Sequence, residues 1–312
     1  MVLAWVRRAF RRCEGLTHSG RHDLSFPVEN DPKQPVFSGD STRHLARYRI
    51  WDSLYSPAIS GPRGTSEAAV EAMLPQFDRF AIERACAYFH VGMNTGARKA
   101  DPDPEDPREI LRCLNRWPDR LLGCAILNAT HPAKCLENLD RWIKDGPMVG
   151  VLFPSAKTTL PCTHANFDPI VRRAHELGAL IVQHTWFKTG GKDSAGESTP
   201  SELVELARRH PDTTFVCVHA GGEWEKGIRA VQGFPNILVE ISGFDPTAGF
   251  LEMAVREMGA HRILFARERS FATEFAKILG AAISDDDRKL IFGGNLRRLL
   301  APIFKRKGWT MA

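Results

Sequence analysis

Apolar runs of four to seven residues recur along this chain at intervals of roughly 30 residues, as in the strand-and-helix units of a barrel. They are Arg49 to Asp52, Arg84 to His90, Leu121 to Leu127, Val149 to Phe153, Ala179 to His184, Thr214 to His219, Ile237 to Ile241 and Arg262 to Phe265. Each is rich in Val, Ile, Leu or Phe without alternation, the pattern of a strand buried on both faces. Stretches of helical periodicity fill the gaps: Ser66 to Phe80, Pro107 to Trp117, Pro132 to Ile143, Asp168 to Leu177, Pro200 to Arg209, Trp224 to Val231, Thr247 to Met258 and Ser270 to Leu279. Several open on Ser, Thr, Asp or Pro and several close on Gly, the usual helix start and stop signals. Strand and helix alternate through all eight units, which predicts an α/β fold of the (β/α)8 TIM-barrel type. A doubly wound sheet fits less well, because no Gly-x-Gly-x-x-Gly follows any strand. The tail from Ser284 to Phe304 reads as two extra C-terminal helices, with Leu296, Leu299, Leu300 and Ile303 on one face.

At 312 residues the chain has room for two average domains, but barrels of about 250 residues run as one. Residues 1–45 are polar and turn-rich and read as an extension ahead of a barrel over 46–312. The first twelve residues put arginines after a short apolar run, where a signal peptide needs a small-residue cleavage site. They read as a surface extension, a weak basic amphipathic helix being the other reading. Lys plus Arg number 42 against 37 Asp plus Glu, a net +5 spread over the chain, so a nucleic-acid partner is not expected. No apolar run reaches the roughly 20 residues of a transmembrane segment. Seven cysteines form no Cys-x-x-Cys pair and mostly sit in apolar runs, which points to reduced, buried thiols in a cytoplasmic chain. The expected partner is a small-molecule substrate; a homo-oligomer stays open.

In a barrel of this type the functional face lies at the C-terminal ends of the strands. The polar residues there are His90, Asn128, His184, His219, Arg267 and Glu268. His184 and His219 end consecutive apolar runs, so their imidazoles should converge on the mouth and can ligate a divalent ion or move protons. His90, alone on its strand, reads as a structural residue. The loop from Thr185 to Pro200 exceeds the usual 2 to 6 residues of such a connection and carries Trp186, Lys188 and Lys192 among glycines. It reads equally as a lid over an anionic substrate or as a solvated loop. Arg267 and Arg269 add positive charge nearby.

A set of segments then carries a resemblance. Gly150-Val-Leu-Phe-Pro, Phe167-Asp-Pro-Ile-Val-Arg-Arg-Ala-His-Glu-Leu-Gly-Ala-Leu-Ile-Val-Gln-His and Glu205-Leu-Ala-Arg-Arg-His-Pro through Val218-His-Ala-Gly-Gly come in order. Pro235-Asn-Ile-Leu-Val-Glu-Ile-Ser-Gly, Gly259-Ala-His-Arg-Ile-Leu-Phe and Gly294-Asn-Leu-Arg-Arg-Leu-Leu complete the set. From about residue 48 to 304 the chain resembles the amidohydrolase-related (amidohydrolase type 2) family, whose members are distorted (β/α)8 barrels acting as metal-dependent hydrolases and decarboxylases. The resemblance implies one divalent ion on a His-x-His pair after strand one, a His after strand five and an Asp after strand eight. A His after strand six serves as a further ligand or acid–base group. His184 and His219 fall on the strand-five and strand-six positions. The strand-one motif departs: Ile50-Trp-Asp-Ser-Leu-Tyr-Ser places Leu54 and Ser56 where the His pair belongs. So does strand eight, where Arg262-Ile-Leu-Phe-Ala-Arg-Glu puts Glu268 at the Asp position if no gap intervenes.

On this reading the metal set is His184, His219 and Glu268, with zinc the expected ion, held weakly or not at all. His219 is the expected catalytic residue, and Trp186, Lys188, Asn128 and Arg267 the expected substrate contacts. Two functions stay open. One is a metal-dependent hydrolase of C–N or C–O bonds, or a decarboxylase, acting on a small anionic molecule. The other is a catalytically degenerate barrel, a pseudoenzyme that binds a ligand or partner.

Overall fold

The structure, a computed structural model, describes residues 41–57, 65–92, 106–155, 159–191, 195–243, 247–268 and 271–311, with side chains from residue 44 onward. By backbone proximity the chain divides into Met1–Ser38 and Gly39–Ala312. The expected extension, including the arginine-rich N-terminus, lies outside the described residues up to Asp40. Its last part is helix α1 (Ser41–Ala46), which buries Leu45 within the second unit.

Strands β1 (Ile50–Tyr55), β2 (Ile82–His90), β3 (Leu121–Ile126), β4 (Met148–Phe153), β5 (Leu180–His184), β6 (Phe215–Val218), β7 (Ile237–Glu240) and β8 (Ile263–Leu264) pair in chain order, all parallel. The last strand meets the first through the backbone N–H and hydroxyl of Ser53, both donating to the Phe265 carbonyl at 3.1 and 2.9 Å. The sheet is therefore a nearly closed barrel, and the (β/α)8 expectation holds.

Helices cross between the strands: α2 (Ser66–Arg79), α3 (Pro107–Arg116), α4 (Pro132–Asn138), α5 (Phe167–Glu176), α6 (Pro200–Arg209), α7 (Trp224–Val231) and α8 (Phe250–Met258). After β8 come α9 (Phe271–Gly280), α10 (Asp285–Lys289) and α11 (Asn295–Lys307), so the extra C-terminal helices are present. Their boundaries follow local chemistry. Thr199 caps α6 in a reciprocal box with Glu202, and proline opens α3, α4 and α6 where its missing N–H costs nothing. Gly259, at φ 79°, ends α8. The strand interiors are dry: β1 and β3 are buried at every position. Cys86, Cys113, Cys124, Cys135, Cys162 and Cys217 are all free thiols inside this core. Among the described residues no helix is long and apolar enough to cross a membrane.

Candidate active site

Two imidazoles meet at the C-terminal end of the barrel. His184 closes β5, and His219 lies one residue beyond β6; their ring centroids are 5.0 Å apart, edge to face. The strand expected to reach His219 stops at Val218 because His219 turns left-handed, at φ 66°. For a non-glycine residue that conformation costs on the order of 1 kcal/mol. Local bonds hold it there. The His219 N–H donates to Glu240 Oε1 at 2.7 Å, and the Thr185 hydroxyl lies 3.0 Å from both the Val218 and His219 carbonyls. The kink swings the ring out of the strand and under the indole of Trp186, 5.3 Å away.

The proton on His219 is fixed by its neighbours. Nδ1 lies 2.7 Å from the Ser242 carbonyl, which can only accept, so Nδ1 carries hydrogen. Glu240 Oε1 stands 3.1 Å from the same nitrogen, and the Ser242 N–H and hydroxyl both donate to Glu240 at 2.9 Å. Nε2 points the other way, 3.6 Å from Glu268 Oε2. Burial opposes a charge on His219, but the Glu240 hydrogen bond and charge, with Glu268 behind, raise its pKa above the ordinary value. Glu240 is fully buried; desolvation works against its charge, yet its bonds to His219 and Ser242 keep its pKa below the usual carboxylate value. His184 behaves oppositely. Burial, reinforced by the charge of His219, lowers it to about 3, so it is neutral, and its buried Nδ1 has no hydrogen-bond partner among the described residues.

Strand-end patterning does not single out Glu240 and Ser242. The available signal was an acid ending the otherwise apolar run Ile237-Leu-Val-Glu. Next to this set, Asp52 of β1 is wholly buried; its Oδ1 accepts from the backbone N–H groups of Leu54 and Arg267, each at 3.0 Å. Burial pushes its carboxyl up to about 6 against the pull of Arg267. Leu54 is buried, whereas Ser56 lies past the end of β1 and is exposed.

The expected substrate contacts separate. Trp186 joins the histidines and lines a cavity of about 210 Å³ with Trp224, Phe250, Ser242, Gly243 and Lys277. Lys188 is paired with Glu197 at 2.8 Å. Asn128 is buried, and its Oδ1 accepts from the N–H and hydroxyl of Thr130, holding the turn after β3. Arg267 sits against Asp52 and aromatic rings. Lys192 and Arg269 lie outside the described residues.

Among the described residues no three His, Cys, Asp or Glu side chains gather into a group able to hold a metal ion. The residues as placed do not fit the ion that the resemblance implies: Leu54 has no donor and Ser56 lies exposed past β1, so around His219 Nε2, which faces Glu268 Oε2 at 3.6 Å, no set of three donors gathers among the described residues.

The chain was compared with known proteins. A search of curated proteins finds no match. Among solved structures, 5-carboxyvanillate decarboxylase from Sphingomonas paucimobilis matches at TM-score 0.60 and 14% identity, over 81% of this chain and 99% of that one. A dihydroxybenzoic acid decarboxylase from Polaromonas, solved with manganese and 2-nitroresorcinol, matches at TM-score 0.57 and 17% identity, over 74% and 85%. 4-Oxalomesaconate hydratase from Rhodopseudomonas palustris matches at TM-score 0.60 and 15% identity, over 83% and 98%. These likenesses are of fold. The profile of the family described as Amidohydrolase matches residues 69–301, which spans all but the first strand of the barrel. The chain, with its eight-stranded barrel and its altered first and last strand motifs, belongs to the amidohydrolase family.

Proposed function

We propose that this chain is a decarboxylase of a small anionic molecule, with His219 as the proton donor. The observation that carries the reading is the placement of His219, its Nδ1 bonded to the Ser242 carbonyl beside Glu240 Oε1 and its Nε2 facing Glu268 Oε2. The two carboxylates, Glu240 foremost, favour the protonated form of His219, whereas burial favours the neutral form of His184. Hydrolysis needs a group that takes a proton from water. An imidazole whose conjugate acid sits near 3 is too weak a base for that, and the bond and charge of Glu240 favour the protonated form of His219. Decarboxylation needs the reverse. A proton passes from Nε2 to the carbon that loses its carboxylate, the C–C bond breaks, and carbon dioxide leaves with no further reactant. Glu268, its side chain 31% exposed, then returns a proton from solvent to Nε2.

The fold neighbours named as decarboxylases of aromatic acids support the same chemistry. Trp186 and the aromatic walls of the cavity suit a flat acid; Lys188, Asn128 and Arg267 remain proposed contacts along its path. A divalent ion, zinc or the manganese of the Polaromonas neighbour, would have to draw His184, His219 and Glu268 together.

The test is carbon dioxide release from a panel of hydroxybenzoates. The wild-type chain should turn over at least one of them, and His219→Asn should lower that rate by about 10²- to 10⁴-fold, the usual contribution of a general acid. Equal rates in the two proteins would sink the assignment.

A further inference from the structure

Charge is unevenly placed on this barrel. The chain carries a net +5, and residues 293–312 alone hold Arg297, Arg298, Lys305, Arg306 and Lys307 with no acid among them, so the rest of the chain sums to neutral. The net charge therefore resides at one place rather than along the chain. All five cations belong to α11, which lies across the end of the barrel opposite the mouth. Arg297 donates to the Arg49 carbonyl ahead of β1, Lys307 to the Gly146 carbonyl ahead of β4, and the Asn295 amide to the Ile263 carbonyl that opens β8. Arg297 and Lys307 are thus anchored by carbonyls rather than carboxylates.

The helix has two faces. Leu296, Leu300, Ile303 and Phe304 are buried. Arg298, Ala301, Pro302, Lys305, Arg306 and Trp309 are exposed. Spacings of three, four and seven set 298, 301, 302 and 305 in one row, so the outward side is a basic stripe with small residues at its middle. The acids nearby are taken by other cations. Asp140 and Glu176 pair with Arg173, Asp145 with Lys144, and Glu83 with Arg49. Among the described residues Lys305 and Arg306 have no carboxylate partner. The stripe ends on an indole. Gly308, at φ 66°, closes α11: its N–H donates to the Lys305 carbonyl at 3.2 Å, and the Trp309 N–H to the Phe304 carbonyl at 2.9 Å. This closure sets the indole edge-on to Phe304, 5.7 Å between centroids, yet leaves Trp309 40% exposed.

We propose that this stripe docks on a membrane surface rich in anionic phospholipid. Unpaired cations complement the negative headgroups, and an exposed indole suits the boundary between headgroup and acyl chain. Single-stranded nucleic acid fits less well, because it wants a groove with several stacking rings, and the stripe offers one ring on a convex helix. Docking through α11 turns the opposite end of the barrel, with His219, toward solution. The inference stands apart from the proposed function and needs no turnover to test.

The experiment pellets the full chain with sucrose-loaded vesicles, either of equal parts phosphatidylserine and phosphatidylcholine or of phosphatidylcholine alone. Wild type should pellet with the first at low salt, be released by high salt, and ignore the second. A Lys or Arg near an anionic surface raises binding by about fivefold, so Lys305→Glu with Arg306→Glu should weaken it by about 25-fold or more. Trp309→Ala should weaken it several-fold at unchanged net charge, which diffuse attraction alone would not do. Lys226→Glu with Arg229→Glu, exposed on α7, changes the net charge equally and should bind nearly as wild type does. All four charged positions are exposed, so these variants should fold, and thermal melting checks it. Failure of wild type to pellet overturns the docking surface. So do equal losses in the two charge-reversed pairs, which would reduce the stripe to net charge. Binding to single-stranded RNA, lost in the Lys305 and Arg306 pair while vesicles are ignored, would overturn it in favour of a nucleic-acid partner.

Discussion

His219 shows how little the identity of a residue says before its neighbours are placed. An imidazole alone titrates near neutrality and can be acid, base or ligand. Here the carbonyl of Ser242 selects the tautomer and the carboxylate of Glu240 selects the charge. Glu240→Gln keeps the shape and the hydrogen-bond capacity but removes the charge. The pKa of His219 should then fall, because burial is no longer opposed by a buried anion. The acid limb of its titration, followed by the NMR signal of the ring C–H, should move to lower pH by one unit or more, each unit being about 1.4 kcal/mol. A titration that stays in place would mean that Ser242 and Glu268 alone set the charge. Stability follows with the same sign: a raised imidazole stabilises the fold below its unfolded pKa, and the gain is lost as pH rises through the folded value.

Among the elements, α7 depends most on a single missing atom. It begins five residues after His219, and Gly227 packs against the backbone of Ala220 so closely that a Cβ at 227 would overlap the Ala220 carbonyl. Gly227→Ala must push α7 away or unwind the kink that positions His219. A loss of about 1 to 3 kcal/mol is expected from such overpacking, measured by urea unfolding. Unchanged stability would show that the turn yields freely. This scale also marks what the sequence could reveal. The strands, most helices and the two histidines were legible, since buried parallel strands write themselves as apolar runs and their last polar residues face the mouth. Glu240 was not, because its role depends on a ring brought from another strand by a left-handed turn that no pattern of apolar residues encodes. Nor was the division of labour among the lysines and arginines. Lys188 is engaged by Glu197 and Arg267 by Asp52, and only the packing of segments far apart in sequence decides which carboxylate each meets.

For the whole molecule the depressed pKa of His184 has a cost. An unfolded His184 takes a proton near pH 6.5, whereas the folded one resists until about 3. Stability from this group is therefore present above pH 6.5 and declines as pH falls below it, by up to about 1.4 kcal/mol per unit. Asp52, raised to about 6, acts in the opposite sense between its unfolded value and 6, so the wild-type curve alone is a sum. The difference between wild type and His184→Asn, melted in EDTA from pH 7 to 4, isolates the histidine. That difference should shrink as pH falls, and a constant difference would refute the neutral, desolvated ring. The six thiols of the core have a consequence of a kinetic kind. At neutral pH they are shielded from reagents by the surrounding chain, and burial holds Cys135, Cys162 and Cys217 at about 12, leaving almost no thiolate to react. A thiol reagent such as a dithiobisbenzoate should then modify these cysteines only when the barrel opens. Cys162, on the loop after β4, and Cys217, inside β6, form a pair of clocks. Cys162 should be labelled first if the mouth breathes without the wall, and both at one rate if the barrel opens as a unit.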